Sequence, residues 1–228
     1  MLNIVMPDEA ARIVPPDISN SFARNLRSNQ SKIVPPGTTI YFEGFRRSPG
    51  YRLIDGCVAI SQVLRDGRRQ IVDVLGPGRL FGLSQGDSNP CSAETLTYTH
   101  LEQLDEDLDH NEAERALHLM LRRAQAHATL LGRKTALEKV ASAVLDLACQ
   151  FARTSKSPKR KRLTFTLYLT RADLADWLGL TVETVSRCLN QLKRSGLIDF
   201  RHPEIVTIVD KGALMEIADA SANPCPAE

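Results

Sequence analysis

Apolar and polar positions change period along this chain, and each change marks an element. From Lys32 to about Gln103 the apolar residues fall in short runs broken by turn residues: Pro35-Pro36-Gly37, Pro49-Gly50, Asp55-Gly56, Asp66-Gly67 and Gly76-Pro77-Gly78. Between them, residues 39–42, 51–54, 57–64, 70–75 and 94–101 are rich in β-branched or aromatic side chains. Short strands at this spacing predict an all-β barrel or sandwich. Asp66-Gly67 between two such runs predicts a hairpin.

The period then becomes helical, from about residue 111 to 134. Leu117, Leu121, Ala124, Ala128, Leu131 and Thr135 follow one another at alternating steps of four and three. That is the repeat of a coiled-coil seam. The alternative is a helix packed on its own β-domain, but two alanines in the seam favour close approach of a second helix. A second helix is expected over residues 136–153, with Val140, Val144 and Leu147 on one face. Residues 154–162 form a polar, basic connector, and 163–169 alternate like a strand. Before all of this, residues 1–16 read as a loose tail and 18–26 as a short helix. The last eleven residues, 218–228, read as a second tail.

The densest pattern runs from Thr170 to Gly196, TRADLADWLGLTVETVSRCLNQLKRSG. Thr170 with Asp173 makes a capping box. Leu174 and Leu178 lie one helical turn apart, and Ala175 is small where a second helix would cross. Gly179 predicts a left-handed stop. Thr181 is a second N-cap for a helix running to about Arg194, which Gly196 ends. Two short helices around a tight glycine-containing turn predict a helix-turn-helix. At about 100° per residue, Val185, Leu189 and Leu192 share an inward face. Glu183, Arg187, Asn190 and Arg194 lie opposite, flanked by Ser186 and Gln191. These residue types read base edges, although most charged helix faces are simply solvated. Residues 197–200 and 205–209 read as two strands around His202-Pro203, the wing of a winged helix.

Composition narrows the picture. A chain of 228 residues that is 43% hydrophobic and 25% charged is ordinary for a globular protein. No apolar run approaches the ~20 residues of a membrane helix. The opening MLNIVMPDEAAR lacks a basic region followed by an apolar core, so no secretory signal and a cytoplasmic location are expected. Five cysteines, Cys57, Cys91, Cys149, Cys188 and Cys225, are odd in number and scattered, which predicts free thiols. Net charge is only +2, but between residues 153 and 201 eleven Lys or Arg stand against four acids. A basic segment around a helix-turn-helix is the footprint of nucleic-acid binding. No Walker lysine loop, GxSxG, HExxH or dinucleotide fingerprint appears, so no enzyme is expected. His100, His110, His118, His127 and His202 are scattered and read as surface or packing residues.

Ala175-Asp176-Trp177-Leu178-Gly179-Leu180-Thr181 followed by Val182-Glu183-Thr184-Val185-Ser186-Arg187 resembles the DNA-binding helix-turn-helix of the CRP/FNR family. The resemblance is to its FNR/FixK branch, which carries Glu-x-x-Ser-Arg on the recognition helix. A looser resemblance spans about residues 32–209. It implies an α+β fold in three parts. Residues 1–109 would hold the tail and a cyclic-nucleotide-binding-like β-roll, 110–135 a dimerisation helix, and 136–228 a winged-helix DNA-binding domain. It implies a homodimer, joined through Leu117, Leu121, Ala124, Ala128 and Leu131, that reads a palindromic TTGAT-type operator and activates transcription with RNA polymerase as a partner. Glu183, Ser186 and Arg187 would contact bases. Thr170, Arg171, Thr181, Thr184 and Lys193 are placed to meet the DNA backbone.

The family's sensor chemistry does not carry over. FNR-type oxygen sensors hold an iron–sulfur cluster with clustered N-terminal cysteines, whereas the first cysteine here is Cys57. The cyclic-AMP branch binds phosphate through a Gly-Glu pair and an Arg followed by Ser or Thr. The matching stretches here are Phe81-Gly82-Leu83-Ser84 and Pro90-Cys91-Ser92-Ala93, with neither the acid nor the arginine. The expectation is no cofactor and no cyclic nucleotide. The alternative is a sensor gated by an apolar ligand or haem, although no histidine precedes His100 in the roll. Cys188 directly follows Arg187, at the edge of the packed face. One reading is a small half-buried apolar residue. The other is a redox brake, in which nearby cations and the helix N-terminus favour the thiolate and its oxidation sets negative charge against DNA phosphates.

Overall fold

The computed structural model describes residues 31–84, 86–104, 109–152 and 163–218. The N-terminal tail, the expected helix over 18–26, the connector 154–162 and residues 219–228 lie outside that range.

Short strands build the N-terminal part: β1 (Lys32–Val34), β2 (Thr39–Tyr41), β3 (Tyr51–Asp55), β4 (Val58–Val63), β5 (Arg69–Leu75), β6 (Leu80–Phe81), β7 (Ser92–Thr95) and β8 (Thr99–Gln103). They form two four-stranded antiparallel sheets, ordered β1-β8-β3-β6 and β2-β7-β4-β5. Alternate residues of both sheets point inward, and Val34, Tyr41, Tyr51, Leu53, Val58, Phe81 and Leu101 fill the space between them. The Tyr51 and Phe81 rings stack at 5.5 Å. At the β4–β5 hairpin, Leu64 N donates to Arg68 O, and Gly67 takes a positive φ of 85°.

The single strand expected over residues 94–101 is in fact two, β7 and β8, in different sheets. The chain crosses between sheets at residues 96–98, where Leu96 N donates to Cys57 O. Gly56 makes this crossing possible. Its φ is 101°, and a Cβ there would sit 2.7 Å from the Thr99 Cα and from the Tyr98 carbonyl oxygen. β1 and β6, three and two residues long, are too short to show a period.

Helix α1 (His110–Arg133) is 24 residues long and buries none of them within its own chain. After the extended residues Lys134 and Thr135, helix α2 (Ala136–Phe151) starts with a full capping box between Thr135 and Glu138. Val140, Val144 and Leu147 point inward as expected. The C-terminal part adds β9 (Leu163–Thr166), α3 (Arg171–Leu178), α4 (Val182–Arg194), β10 (Ile198–His202), β11 (Ile205–Ile208) and α5 (Lys211–Ala218). Its antiparallel sheet is ordered β10-β11-β9. Strand β9 is shorter than expected, because Leu167 N turns to Glu204 O beside the wing. Helix α5 was not foreseen; it covers α2 and buries Leu214 and Ala218.

The roll and the C-terminal part share an apolar core. Cys57, Ile71 and Val74 from the roll join Val140, Leu147, Trp177, Leu178, Leu189 and Ile208. Cys57, Cys91 and Cys188 are free thiols. Cys149 is disulfide-bonded, which corrects the expectation of thiols throughout. Pairing depends on distance in space, and spacing along the chain did not carry it. Among the described residues, no helix is long and apolar enough to cross a membrane.

Candidate nucleic-acid interface

Local chemistry places α3 and α4. Thr170 Oγ1 accepts from Asp173 N at 3.1 Å, and the Asp173 carboxylate accepts in return from Thr170 N at 2.9 Å. Gly179 closes α3 in the left-handed conformation, φ 60°, ψ 45°. Thr181 caps α4, its Oγ1 accepting from Thr184 N at 3.2 Å. Helix α4 then buries Val185, Leu189 and Leu192 almost completely. The opposite face leaves Glu183, Arg187, Asn190 and Arg194 exposed, with Ser186 half-buried beside them.

The three residues expected to read bases therefore share one outward strip near the start of α4. Arg187 Nε donates to the Glu183 carbonyl at 3.4 Å, which lays the guanidinium along the helix. The Glu183 carboxyl is held below its usual range, first by its own backbone N–H and then by the Thr181 hydroxyl. It remains an acceptor at neutral pH.

The residues expected to meet the backbone divide into three sets. Thr181 and Thr184 stand at the N-terminus of α4, their hydroxyls 3.1 Å apart. Thr170 instead donates its hydroxyl proton to Asp173 at 2.6 Å, so that hydroxyl already serves the cap. Arg171 and Lys193 flank the Phe200 ring, with the guanidinium carbon 5.3 Å and the ammonium nitrogen 5.9 Å from its centroid. Lys193 also donates to Phe200 O at 3.2 Å and faces Asp199 at 3.5 Å. Arg171, Ser186, Asn190, Lys193, Phe200 and His202 line an open concavity of about 380 Å³ between α4 and the wing. Sequence reasoning missed Phe200, since a lone aromatic in a short strand looks like core.

Cys188 departs from the thiolate expectation. It is only 8% exposed, and burial pushes its thiol up, Arg187 offsetting this in part. The helical angle had put it on the boundary, but packing takes it inside.

The expected seam residues on α1 are presented rather than covered. Leu117, Leu121, Ala124 and Ala128 are exposed and Leu131 is half-buried. The other side of α1 holds the chain's own contacts. Arg123 donates to Asp73 at 2.9 Å and to Asp146 at 2.7 Å, and His127 stacks on Trp177.

The stretch of the roll that matches a phosphate-binding cassette does not fit an anion. Ser92 Oγ already accepts from Glu43 N at 2.9 Å. The neighbouring Cys91 thiol is pushed up by burial and by the Glu43 carboxylate, so an anion there would face negative charge. Arg52 is taken by Glu102 and Glu112, and Arg79 by Asp73.

A winged helix-turn-helix with an outward reading face, joined by a long bare helix to a β-roll, defines a DNA-binding regulator with a sensor-like domain. Residues 138–217 match the Crp-like helix-turn-helix domain, and residues 31–108 match the cyclic nucleotide-binding domain. The chain is 34% identical over 190 residues to the nitrogen fixation regulation protein FixK of Rhizobium meliloti (strain 1021), covering 81% of this chain and 85% of that one. It is 32% identical over 193 residues to the transcriptional activator protein FnrL of Cereibacter sphaeroides, covering 80% and 77%. Among solved structures, FixK2 from Bradyrhizobium japonicum superposes with a TM-score of 0.75 at 30% identity, covering 84% of this chain and 98% of that one. The chain belongs to the CRP/FNR family and is a FixK-like DNA-binding transcription regulator, not an enzyme.

Proposed function

We propose that the protein works in the cytoplasm as a homodimeric transcription activator on a palindromic TTGAT-type operator, with RNA polymerase as its further partner. The observation that carries this reading is the bare seam of α1. Leu117 and Leu121 are 45% and 57% exposed in the single chain. They lie roughly 130° around the helix from the side that Arg123, His127 and Leu130 turn toward the chain's own packing. An apolar stripe with a seven-residue repeat fits a second copy of itself across a two-fold axis. Such a dimer presents two α4 helices to half-sites about one helical turn apart, ~34 Å. In each, Arg187 would take guanine O6 and N7, Glu183 would accept from cytosine N4, and Ser186 would contact the adjoining base. Thr181, Thr184, Arg171 and Lys193 would meet phosphates, whereas the Thr170 hydroxyl and N–H both already serve Asp173, so Thr170 would act only by capping α3. The name of the FnrL relative supports the activator reading.

The charge around Cys91 and Glu43 favours action without a cyclic nucleotide, and the scattered cysteines favour action without an iron–sulfur cluster. An oxidative brake at Cys188 stays in the proposal with a different mechanism. An oxidised sulfur would bring charge into the packed face of α4 rather than repel phosphates from outside.

Gel-shift titration of purified protein against the inverted repeat, with sedimentation at the same concentrations, tests the reading. Tight binding by a dimer without added ligand, from protein with no visible absorption band, supports it. Binding by a monomer, or only after a ligand or haem is supplied, overturns it.

A further inference from the structure

Helix α3 is held from two directions. From α1, His127 stacks on Trp177, and the Leu131 methyl would lie 3.3 Å from a Cβ added at Gly179. From the roll, strand β5 reaches it with polar side chains. Arg69 Nε donates to Asp176 Oδ2 at 2.8 Å, and Arg69 Nη2 donates to Asp173 Oδ1. Arg69 Nη1 faces Glu94 Oε2 at 3.5 Å. The next residue, Gln70, donates to the Trp177 carbonyl at 3.2 Å. One guanidinium thus spans the first turn and the middle of an eight-residue helix, and Gln70 takes its last turn.

The same strand is tied to α1. Asp73 of β5 accepts from Arg123 of α1 at 2.9 Å, and Arg123 reaches on to Asp146 of α2. The covalent link between α1 and α2 is only Lys134-Thr135, both extended. Each of these two residues is hydrogen-bonded within its own helix, so the backbone caps the helices separately and the angle between α1 and the helix-turn-helix is left to contacts across the break. Side chains must fix it. The carboxyl of Asp173, though burial pushes it up, is held below its usual range by Thr170 and Arg69, so the pair is ionised at neutral pH. The planar fork of the Arg69 guanidinium meets two carboxylates one turn apart, which a lysine ammonium cannot do in the same way.

We infer that Arg69 is a positioning residue for operator reading: by clamping α3 to the roll through Asp173 and Asp176, it sets the distance between the two recognition helices of the dimer. This rests on the dimeric operator reading above. It concerns the spacing of half-sites and not the identity of their bases, because Arg69 lies on the roll and α4 keeps its own contacts with α3.

The experiment compares affinity for three duplexes: the inverted repeat at its preferred spacing, the same half-sites moved apart by one base pair, and a single half-site. Wild type is expected to prefer the first clearly. Arg69→Ala and Asp176→Asn are each expected to lower that preference by roughly fivefold or more, the lower end of coupling between sites. Affinity for the single half-site is expected to stay within roughly twofold, as for a position independent of the base contacts. Arg69→Lys, which keeps charge but loses the fork, is expected to fall between. The exchange Arg69→Asp with Asp176→Arg is expected to recover part of the preference. Equal spacing preference in wild type and both single variants overturns the inference. So does a loss on the single half-site as large as that on the repeat, which marks Arg69 as a general support of the fold. If wild type itself shows no spacing preference, the dimeric operator reading fails instead.

Discussion

The His127 ring of α1 lies nearly parallel to the Trp177 indole of α3, with centroids 6.3 Å apart and planes 13° from parallel. This contact joins α1 to the helix that packs against α4. Burial is the main cause that lowers the His127 pKa from the ordinary 6.5, with Arg123 and Lys139 adding to it and Asp73 and Asp146 opposing. Its Nε2 is buried without a hydrogen-bond partner among the described residues.

The pH dependence follows from that burial. In the unfolded chain His127 titrates near 6.5 and so binds more protons than the folded protein just below that value. The stability linked to neutral His127 is fully present above 6.5 and is lost as pH falls through it toward the lower folded pKa. Denaturant midpoints measured at about pH 5.5 and 7.5 are expected to differ in wild type, and to differ less in His127→Phe, where no proton is taken up. An unchanged difference in the variant would assign the loss to other groups.

Arg187→Ala is expected to cost about 1–3 kcal/mol of operator affinity and to relax preference at one base pair of each half-site. Competition against operators changed singly at each position measures both effects. If the variant kept wild-type selectivity, Arg187 would belong with the phosphate contacts.

Ala128→Asp places two carboxylates against one another at the proposed seam. Ala128 is exposed in the single chain, so the fold itself should tolerate the change. Sedimentation is expected to show monomers with an unaltered circular dichroism spectrum, and DNA affinity is expected to drop to that of one half-site. An intact dimer would move the interface to another face.

Cys188→Asp is expected to lower the melting temperature of the protein as well as its DNA affinity, because a carboxylate replaces a thiol that is 8% exposed. Cys188→Ser is expected to bind as wild type does and to resist prolonged peroxide treatment. Since the thiol is held protonated, inactivation of wild type is expected to be slow. Equal peroxide sensitivity in wild type and Cys188→Ser would place the effect on another sulfur.

The helix-turn-helix was legible because its signals are local. Thr170 with Asp173, Gly179 and Thr181 each act within a few residues, and capping chemistry needs no knowledge of the rest of the fold. The crossing between β7 and β8 was not legible, because Gly56 and Thr99 meet only once both sheets have formed. The burial of Cys188 escaped for a related reason: a helical angle gives direction but not what stands in that direction. Arg69 was invisible altogether, with 107 positions separating it from Asp176. A trace of it lay in Asp173 and Asp176, two acids on one side of a short helix in a basic segment, which together call for a cation from elsewhere.

Among the described residues, strand β5 ends its sheet, with β4 on one side and no strand on the other. The C-terminal end of its outer edge is nonetheless occupied. Val74 O accepts from Arg123 at 3.3 Å and from Gln150 at 3.1 Å, and just past the strand Gly76 N donates to Gln150 at 2.8 Å. An uncovered sheet margin is a template on which other chains can pair. Side chains from two helices close this one. A fragment ending at residue 104 would keep the roll's own interior but strip that margin bare, and it would be expected to assemble strand to strand with its copies. Helices α1 and α2, which connect the roll to the helix-turn-helix, therefore also close the margin of the roll, and loss of the C-terminal half is expected to leave an aggregating protein rather than an inert one.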